Sequence, residues 1–283
     1  MKPFLALFVL LSLQIARADE TPAPALVAKI QDSQISELSG LAPSRRYPGL
    51  LYAHNDSGDK ARVYLLNPKG ETVAVLTLKN AYARDFEDIA VAGDYVYVGD
   101  IGDNLAWRDA LQLYRFTEPK IDPSKLGQSV EVKPEAFAVR YPGAARDAET
   151  LLAAPDGRVW ILSKSQAGSS LFGTTFQKDK TKTMERVGDK ISFGATGIFT
   201  KLATGGSFSP DGRKLVVTTY AQISEWKLSA PYKLSDLTTL KPVVRALPGL
   251  KQCESVCYSA DGSQILVSSE GKLAPIYRFV SSY

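Results

Sequence analysis

This chain of 283 residues predicts an all-β fold, a five-bladed β-propeller closed by its own N-terminal strand. Three observations carry that prediction. Five short segments lie over one another without gaps: Ser39-Gly40-Leu41-Ala42, Glu87-Asp88-Ile89-Ala90, Glu149-Thr150-Leu151-Leu152, Thr204-Gly205-Gly206-Ser207 and Glu254-Ser255-Val256-Cys257. Their first residues stand 48, 62, 55 and 50 positions apart. A period near 50 with several short strands per period is the mark of a propeller, one sheet per repeat. Each segment also opens an apolar run that is followed, after a turn, by another. Finally, the last repeat runs out of chain after three strands, while an unclaimed strand-like segment precedes the first.

The strands follow in order. Repeat one reads Leu50 to His54, a turn at Asn55-Asp56-Ser57-Gly58, Val63 to Leu66, a turn at Asn67-Pro68-Lys69-Gly70, then Thr72 to Leu78. Apolar, β-branched and aromatic runs bounded by Gly, Pro, Asn and Asp are strand and turn signals. Repeat two gives Tyr95 to Val98, Leu111 to Phe116 and Ala136 to Val139, with Glu118 to Pro134 read as a polar surface connection. Repeat three places Val159 to Leu162 after the turn Pro155-Asp156-Gly157, and repeats four and five use Pro210-Asp211-Gly212 and Ala260-Asp261-Gly262. Asp-Gly suits such turns because both residues tolerate positive φ. The final strand, Ile276 to Phe279, has no fourth partner within its repeat. Ala25 to Ile30 is therefore expected to complete blade five and remove two exposed edges.

Residues 1–18 read as a signal peptide: Lys2, an apolar stretch from Phe4 to Leu13, and the cleavage site Ala16-Arg17-Ala18. The expected location is periplasmic or secreted, with residues 19–283 forming a single propeller domain. Loss of Lys2 and Arg17 leaves 32 basic residues against 30 acidic ones. That balance gives no electrostatic case for nucleic acid or an anionic membrane, and a monomer is expected. The cysteines, Cys253 and Cys257, lie four residues apart along a strand, about 13 Å and too far for a disulfide. An even separation predicts that both face the same side.

The five segments begin with Ser39, Glu87, Glu149, Thr204 and Glu254, each bearing an oxygen. Equivalent positions at the start of an innermost strand converge on the axis. Three carboxylates held that close repel unless protons or a cation sit among them. An all-oxygen ring of this charge suits Ca²⁺. The loops after the second strands rim the same mouth. They read His54-Asn55-Asp56-Ser57-Gly58, Gly99-Asp100-Ile101-Gly102-Asp103-Asn104, Ser163-Lys164, Thr219-Tyr220 and Ser269-Glu270-Gly271. Asp56 and Asp100 are the candidate bases there. Arg84-Asp85 and Arg146-Asp147 flank two axial glutamates, either orienting them or forming surface pairs. With His54 as the single histidine, His-based zinc sites and Ser-His-Asp triads are excluded.

The order Ser, Glu, Glu, Thr, Glu on five blades resembles the calcium-activated nucleotidases, or soluble apyrases. Glu37-Leu38-Ser39-Gly40-Leu41 looks like their first-blade motif, and the two Asp- and Gly-rich loops resemble their substrate-phosphate loops. The resemblance implies Ca²⁺ ligation by Ser39, Glu87, Glu149, Thr204 and Glu254. It covers the blade starts and mouth loops, and Asp103-Asn104 replaces a basic residue of that family. Across its whole mature length the chain also resembles secreted bacterial propellers of unassigned function.

The expected activity is Ca²⁺-dependent hydrolysis of a phosphate ester or anhydride, with a small-molecule substrate at the channel mouth. Two alternatives stay open: a non-catalytic binding propeller with structural Ca²⁺, and a glycosidase using Asp56 and Glu149.

Overall fold

The computed structural model describes residues 22–194 and 197–283; the segment read as a signal peptide lies outside them. Strand β1 (Ala25–Lys29) precedes blade one, which is built from β2 (Leu38–Pro43), β3 (Leu51–Asn55), β4 (Arg62–Leu66) and β5 (Thr72–Leu78). Blade two contains β6 (Phe86–Ala92), β7 (Tyr95–Asp100), β8 (Leu111–Thr117) and, after β9 (Gln128–Val132), β10 (Glu135–Arg140). Blade three contains β11 (Ala148–Ala153), β12 (Arg158–Ser163), β13 (Ser169–Thr175) and, after β14 (Thr181–Thr183), β15 (Glu185–Ile191). Blade four is β16 (Ala203–Phe208), β17 (Lys214–Thr219), β18 (Gln222–Lys227) and β19 (Val243–Ala246). Blade five is β20 (Cys253–Tyr258), β21 (Gln264–Ser269) and β22 (Pro275–Val280), completed by β1.

β1 runs antiparallel to β22, with Ala25 opposite Arg278 and Lys29 opposite Pro275. The ring therefore closes with strands from both ends of the chain, as the missing fourth strand predicted. Gly70, at φ 79°, lets that N-terminal segment pass: a Cβ there would stand 2.1 Å from the Lys29 carbonyl oxygen. The C-terminal residues are tied to blade four by Glu225, whose carboxylate accepts hydrogen bonds from the Ser281 hydroxyl (2.6 Å) and the Ser282 N–H (2.8 Å).

Two connections do more than cross the surface. β9 pairs in parallel with β5, adding a fifth strand to blade one, and β14 pairs in parallel with β10 of blade two. The Glu118 to Pro134 segment thus corrects the expectation of a plain connection. Its Val130 and Val132 pack against the apolar layer between blades one and two, a short alternation hidden among polar neighbours.

The core is a set of inter-blade layers, each filled by large apolar side chains from two adjacent sheets. Tyr97, Leu113 and Phe137 of blade two meet Leu151, Ile161 and Phe172 of blade three, and the other interfaces repeat the pattern. Cys253 joins the layer against blade four, while Cys257 joins the layer against blade one. They face opposite sides, contrary to the even-spacing expectation, because an extra residue intervenes at Glu254 and inverts the alternation.

Candidate functional site

The same irregularity occurs in every inner strand, at the position singled out by the repeats. In blade one, Leu38 pairs with Asn55 and Gly40 with His54, leaving Ser39 as the extra residue of a β-bulge. Glu87, Glu149, Thr204 and Glu254 are the extra residues of blades two to five. A bulge re-aims a side chain that regular alternation would bury between sheets. Five bulges in register give the five axial residues one geometry. The residue before each bulge pairs with the last residue of the second strand: Asn55, Asp100, Ser163, Thr219 or Ser269. The loops that follow accordingly share one mouth with the axial ring.

The two axial hydroxyls lace neighbouring inner strands together. Ser39 donates to the Glu87 carbonyl (2.7 Å), and Thr204 donates to the Cys253 carbonyl (2.7 Å). All five axial residues are buried. Below the ring Asp88 is fully buried, its carboxylate taking N–H groups from Ile89 (2.8 Å), Leu151 (2.8 Å) and Gly206 (3.3 Å). It pins three blades across the channel and has no path to a substrate.

Among the described residues, one set of three carboxylates closes to ligand-sharing distance. Oxygens of Asp56, Asp85 and Glu87 lie within 4.8 Å of one another. Asp56 follows β3 and Asp85 stands two residues before the Glu87 bulge. The cluster rests against Gly102: a Cβ at that residue would stand 2.1 Å from Glu87 Oε1 and 2.3 Å from Asp85 Oδ2. The only side chain that fits is none at all.

Asp100 holds this arrangement from behind. Its carboxylate accepts the N–H of Asp85 (3.1 Å) and of Arg84 (3.4 Å) and pairs with Arg108 Nη1 at 2.9 Å. The same Arg108 nitrogen donates to the Gly102 carbonyl (2.7 Å). Asp100 is therefore fully engaged in positioning Asp85 and Gly102, a different use from the free base expected of it. Asp103 is similarly occupied by the N–H groups of Trp107 and Arg108, and Asp59 by Arg62 and Asn55. Of the acids named for the two mouth loops, Asp56 and Asp103 have no cationic side chain bonded to them; Asp103 takes two backbone N–H groups, and Asp56 takes the single Ser57 N–H.

On the far side of the mouth, the Lys164 ammonium bonds Glu149 Oε1, and Glu149 Oε2 is buried with no hydrogen-bond partner. The carboxylate pair suggested for a glycosidase, Asp56 and Glu149, thus includes one member already joined to an ammonium.

Electrostatics match a cation-seeking site. Burial, with repulsion from Glu149 and Asp56, raises Glu87 well above the usual carboxylate range. Burial and the Asp56 charge push Asp85 up to about 6. Burial drives Glu149 to about 7 in spite of Lys164, and burial with Glu149 and Glu270 drives Glu254 to about 9. Burial also raises Asp56. Ca²⁺ takes hard oxygen donors, and a divalent charge among these crowded carboxylates would offset the repulsion that raises them, so the residues present fit that ion. Sequence reasoning named Ser39, Glu87, Glu149, Thr204, Glu254 and Asp56, and left Asp85 undecided between two readings. It read the loop glycines as allowing close backbone approach without tying Gly102 to a neighbour, and gave Lys164 no role. The signal for Asp85 was its repeat: Asp147 stands at the same offset before Glu149.

Next to the cluster the rim carries two exposed apolar side chains. Leu105 and Trp107 are two-thirds exposed and share a small recess with Arg84, Asp85 and Gly102.

Neither a family model nor a curated protein matches the chain. Solved structures align with much of the chain at low identity. A candidate gluconolactonase is 12% identical, over 86% of this chain and 74% of that one, with a TM-score of 0.47. A chain of a nidogen/laminin complex is 11% identical, over 83% and 73%, with a TM-score of 0.45. U3-55K is 11% identical, over 86% and 68%, with a TM-score of 0.43.

Proposed function

We propose that this chain is an exported calcium-binding propeller that hydrolyses a small phosphate ester or anhydride at its acidic mouth. The observation that carries the reading is the Asp56, Asp85 and Glu87 cluster, built against a glycine and backed by a buried Asp100–Arg108 pair. Bound Ca²⁺ supplies Lewis-acid polarisation of a phosphoryl oxygen and cancels the negative field that would repel the substrate. Glu87 and Asp85 hold that charge in place. Asp56, half-buried and free of a cationic partner, accepts the proton of the attacking water. Arg108 and Asp100 fix the Asp85 backbone, and the exposed face of Trp107 supports the part of the substrate that does not react. The axial hydroxyls of Ser39 and Thr204 keep the ring of inner strands from opening.

A second reading is a binding propeller without turnover. It is favoured by the engagement of Asp100, which leaves Asp56 as the single free base of the two expected. A panel of phosphate monoesters, diesters and nucleoside polyphosphates, assayed with Ca²⁺ and with EDTA, separates the two. Turnover that needs Ca²⁺ and disappears in Asp56→Asn supports the hydrolase. Ca²⁺-dependent binding with no turnover supports the second reading, and absence of Ca²⁺ binding contradicts both.

A further inference from the structure

We propose that Lys164 is a tethered cation that holds the Glu149 side of the axial ring in place of a metal ion, confining a divalent cation to the Asp56, Asp85 and Glu87 side. This inference rests on the calcium reading above and adds a specificity-determining residue to it.

Lys164 is the first residue after β12, and its N–H bonds the Asp147 carbonyl at 2.9 Å. Asp56 after β3, Ile101 after β7 and Glu270 after β21 hold the equivalent places, with N–H bonds to Glu37, Asp85 and Gln252. The repeat architecture thus aims Lys164 at the axis from blade three, where blades one and five present carboxylates. Its ammonium lies on Glu149, and the two side chains are only 14% and 7% exposed. Tyr220, leading out of β17 in blade four, covers the ammonium with its ring centroid 5.2 Å away. This is an enclosed site for one positive charge.

The other cations near the mouth are turned elsewhere. Arg108 is bonded to Asp100 and Gly102, Arg146 stacks on Tyr141 and Phe172, and Arg84 is exposed beside Trp107. Lys164 is therefore the cationic side chain that neutralises the ring from within. A charge of the same sign standing at Glu149 repels an incoming divalent ion and occupies one of its oxygens. The three-carboxylate cluster lies around Glu87, with no such ammonium among its members.

The test uses the mature protein, Lys164→Met, Lys164→Arg and the double variant Lys164→Met/Glu149→Gln. Calorimetric titration with CaCl₂ and thermal melts in EDTA are the readouts. Lys164→Met is expected to bind Ca²⁺ at least ~10-fold more tightly, or to take up a second ion, since like charge is removed and Glu149 is released. Its melting point in EDTA should fall, and the double variant should recover most of that loss. Lys164→Arg should behave as the wild type. Unchanged or weaker Ca²⁺ binding by Lys164→Met overturns the proposal. A wild type that takes up no Ca²⁺ while Lys164→Met does overturns it together with the calcium reading, because the native mouth then holds no ion to confine. Failure of every form to bind Ca²⁺ sinks it together with the calcium reading.

Discussion

Gly102 lies so close to Glu87 that a methyl group on its Cα would stand 2.1 Å from the glutamate's Oε1. Glu87 is buried, so any movement of its carboxylate disturbs the cluster. Gly102→Ala must therefore push the carboxylate or the loop out of place. The expected result is a loss of Ca²⁺ affinity of ~10-fold or more, since ligand geometry sets calcium affinity. Titration calorimetry of that variant checks it, and unchanged affinity would mean that the cluster is not the ion site.

Asp100→Asn separates positioning from chemistry. The Asp100–Arg108 pair is almost wholly enclosed, at 3% and 5% side-chain exposure. Removing one partner of such a pair costs about 3–5 kcal/mol, because the other charge is left buried and unmatched. Urea unfolding should show a loss of that order in Asp100→Asn. Asp56→Asn should leave stability nearly unchanged and lower any turnover by ~10²-fold or more. If Asp100→Asn unfolds at the wild-type urea concentration, the clamp described here is wrong.

Stability in EDTA should fall as pH rises from 6.5 to 8. Glu149 and Glu254 ionise in the fold at about 7 and about 9, raised chiefly by burial, against ~4.3 in an unfolded chain. Over that interval the folded state holds more protons than the unfolded one, so unfolding is increasingly favoured with pH. His54 works the other way: burial lowers it from 6.5 to about 4, so its contribution grows up to pH 6.5 and is flat above. The chosen window excludes it. Saturating Ca²⁺ should remove most of the slope, and a melting point independent of pH in EDTA would contradict the repulsion described.

Ring closure makes a separate prediction. Deleting Ala25–Lys29 strips β22 of its outer partner and exposes its edge. The truncated protein should melt more than about 5 °C lower, or without a cooperative transition, given that about 1 kcal/mol moves Tm by about 2–4 °C in a protein of this size. Melting at the full-length midpoint would show that β1 is dispensable.

The repeats, the closing strand and the axial residues were legible because each depends on local pattern: apolar runs, turn residues and one oxygen per period. The bulge itself was legible too, once its cause is known. Leu38 and Leu41 face one layer, as do Phe86 and Ile89, and Ala148 and Leu151, each pair three residues apart where plain alternation needs an even number. Missing that offset placed Cys253 and Cys257 on the same side. What the pattern could not show was which partner each side chain or strand takes. Nothing local says that Arg108 takes Asp100, that Lys164 reaches Glu149, or that β9 joins the preceding blade. The first two contacts depend on how a bulge and a loop aim side chains within blades two and three, and the third on a strand that returns to a blade the chain has already left.

The central claim is that the mouth holds a divalent cation through Glu87, and one titration tests it most directly. CaCl₂ should be titrated into metal-free mature protein and into Glu87→Gln, with melting points recorded at saturation. The account predicts saturable binding by the wild type, stabilisation of about 2.7 kcal/mol at a free concentration ~100 times Kd, and affinity at least ~10-fold weaker in the variant. No heat of binding and no rise in melting point, or equal binding by Glu87→Gln, would contradict it.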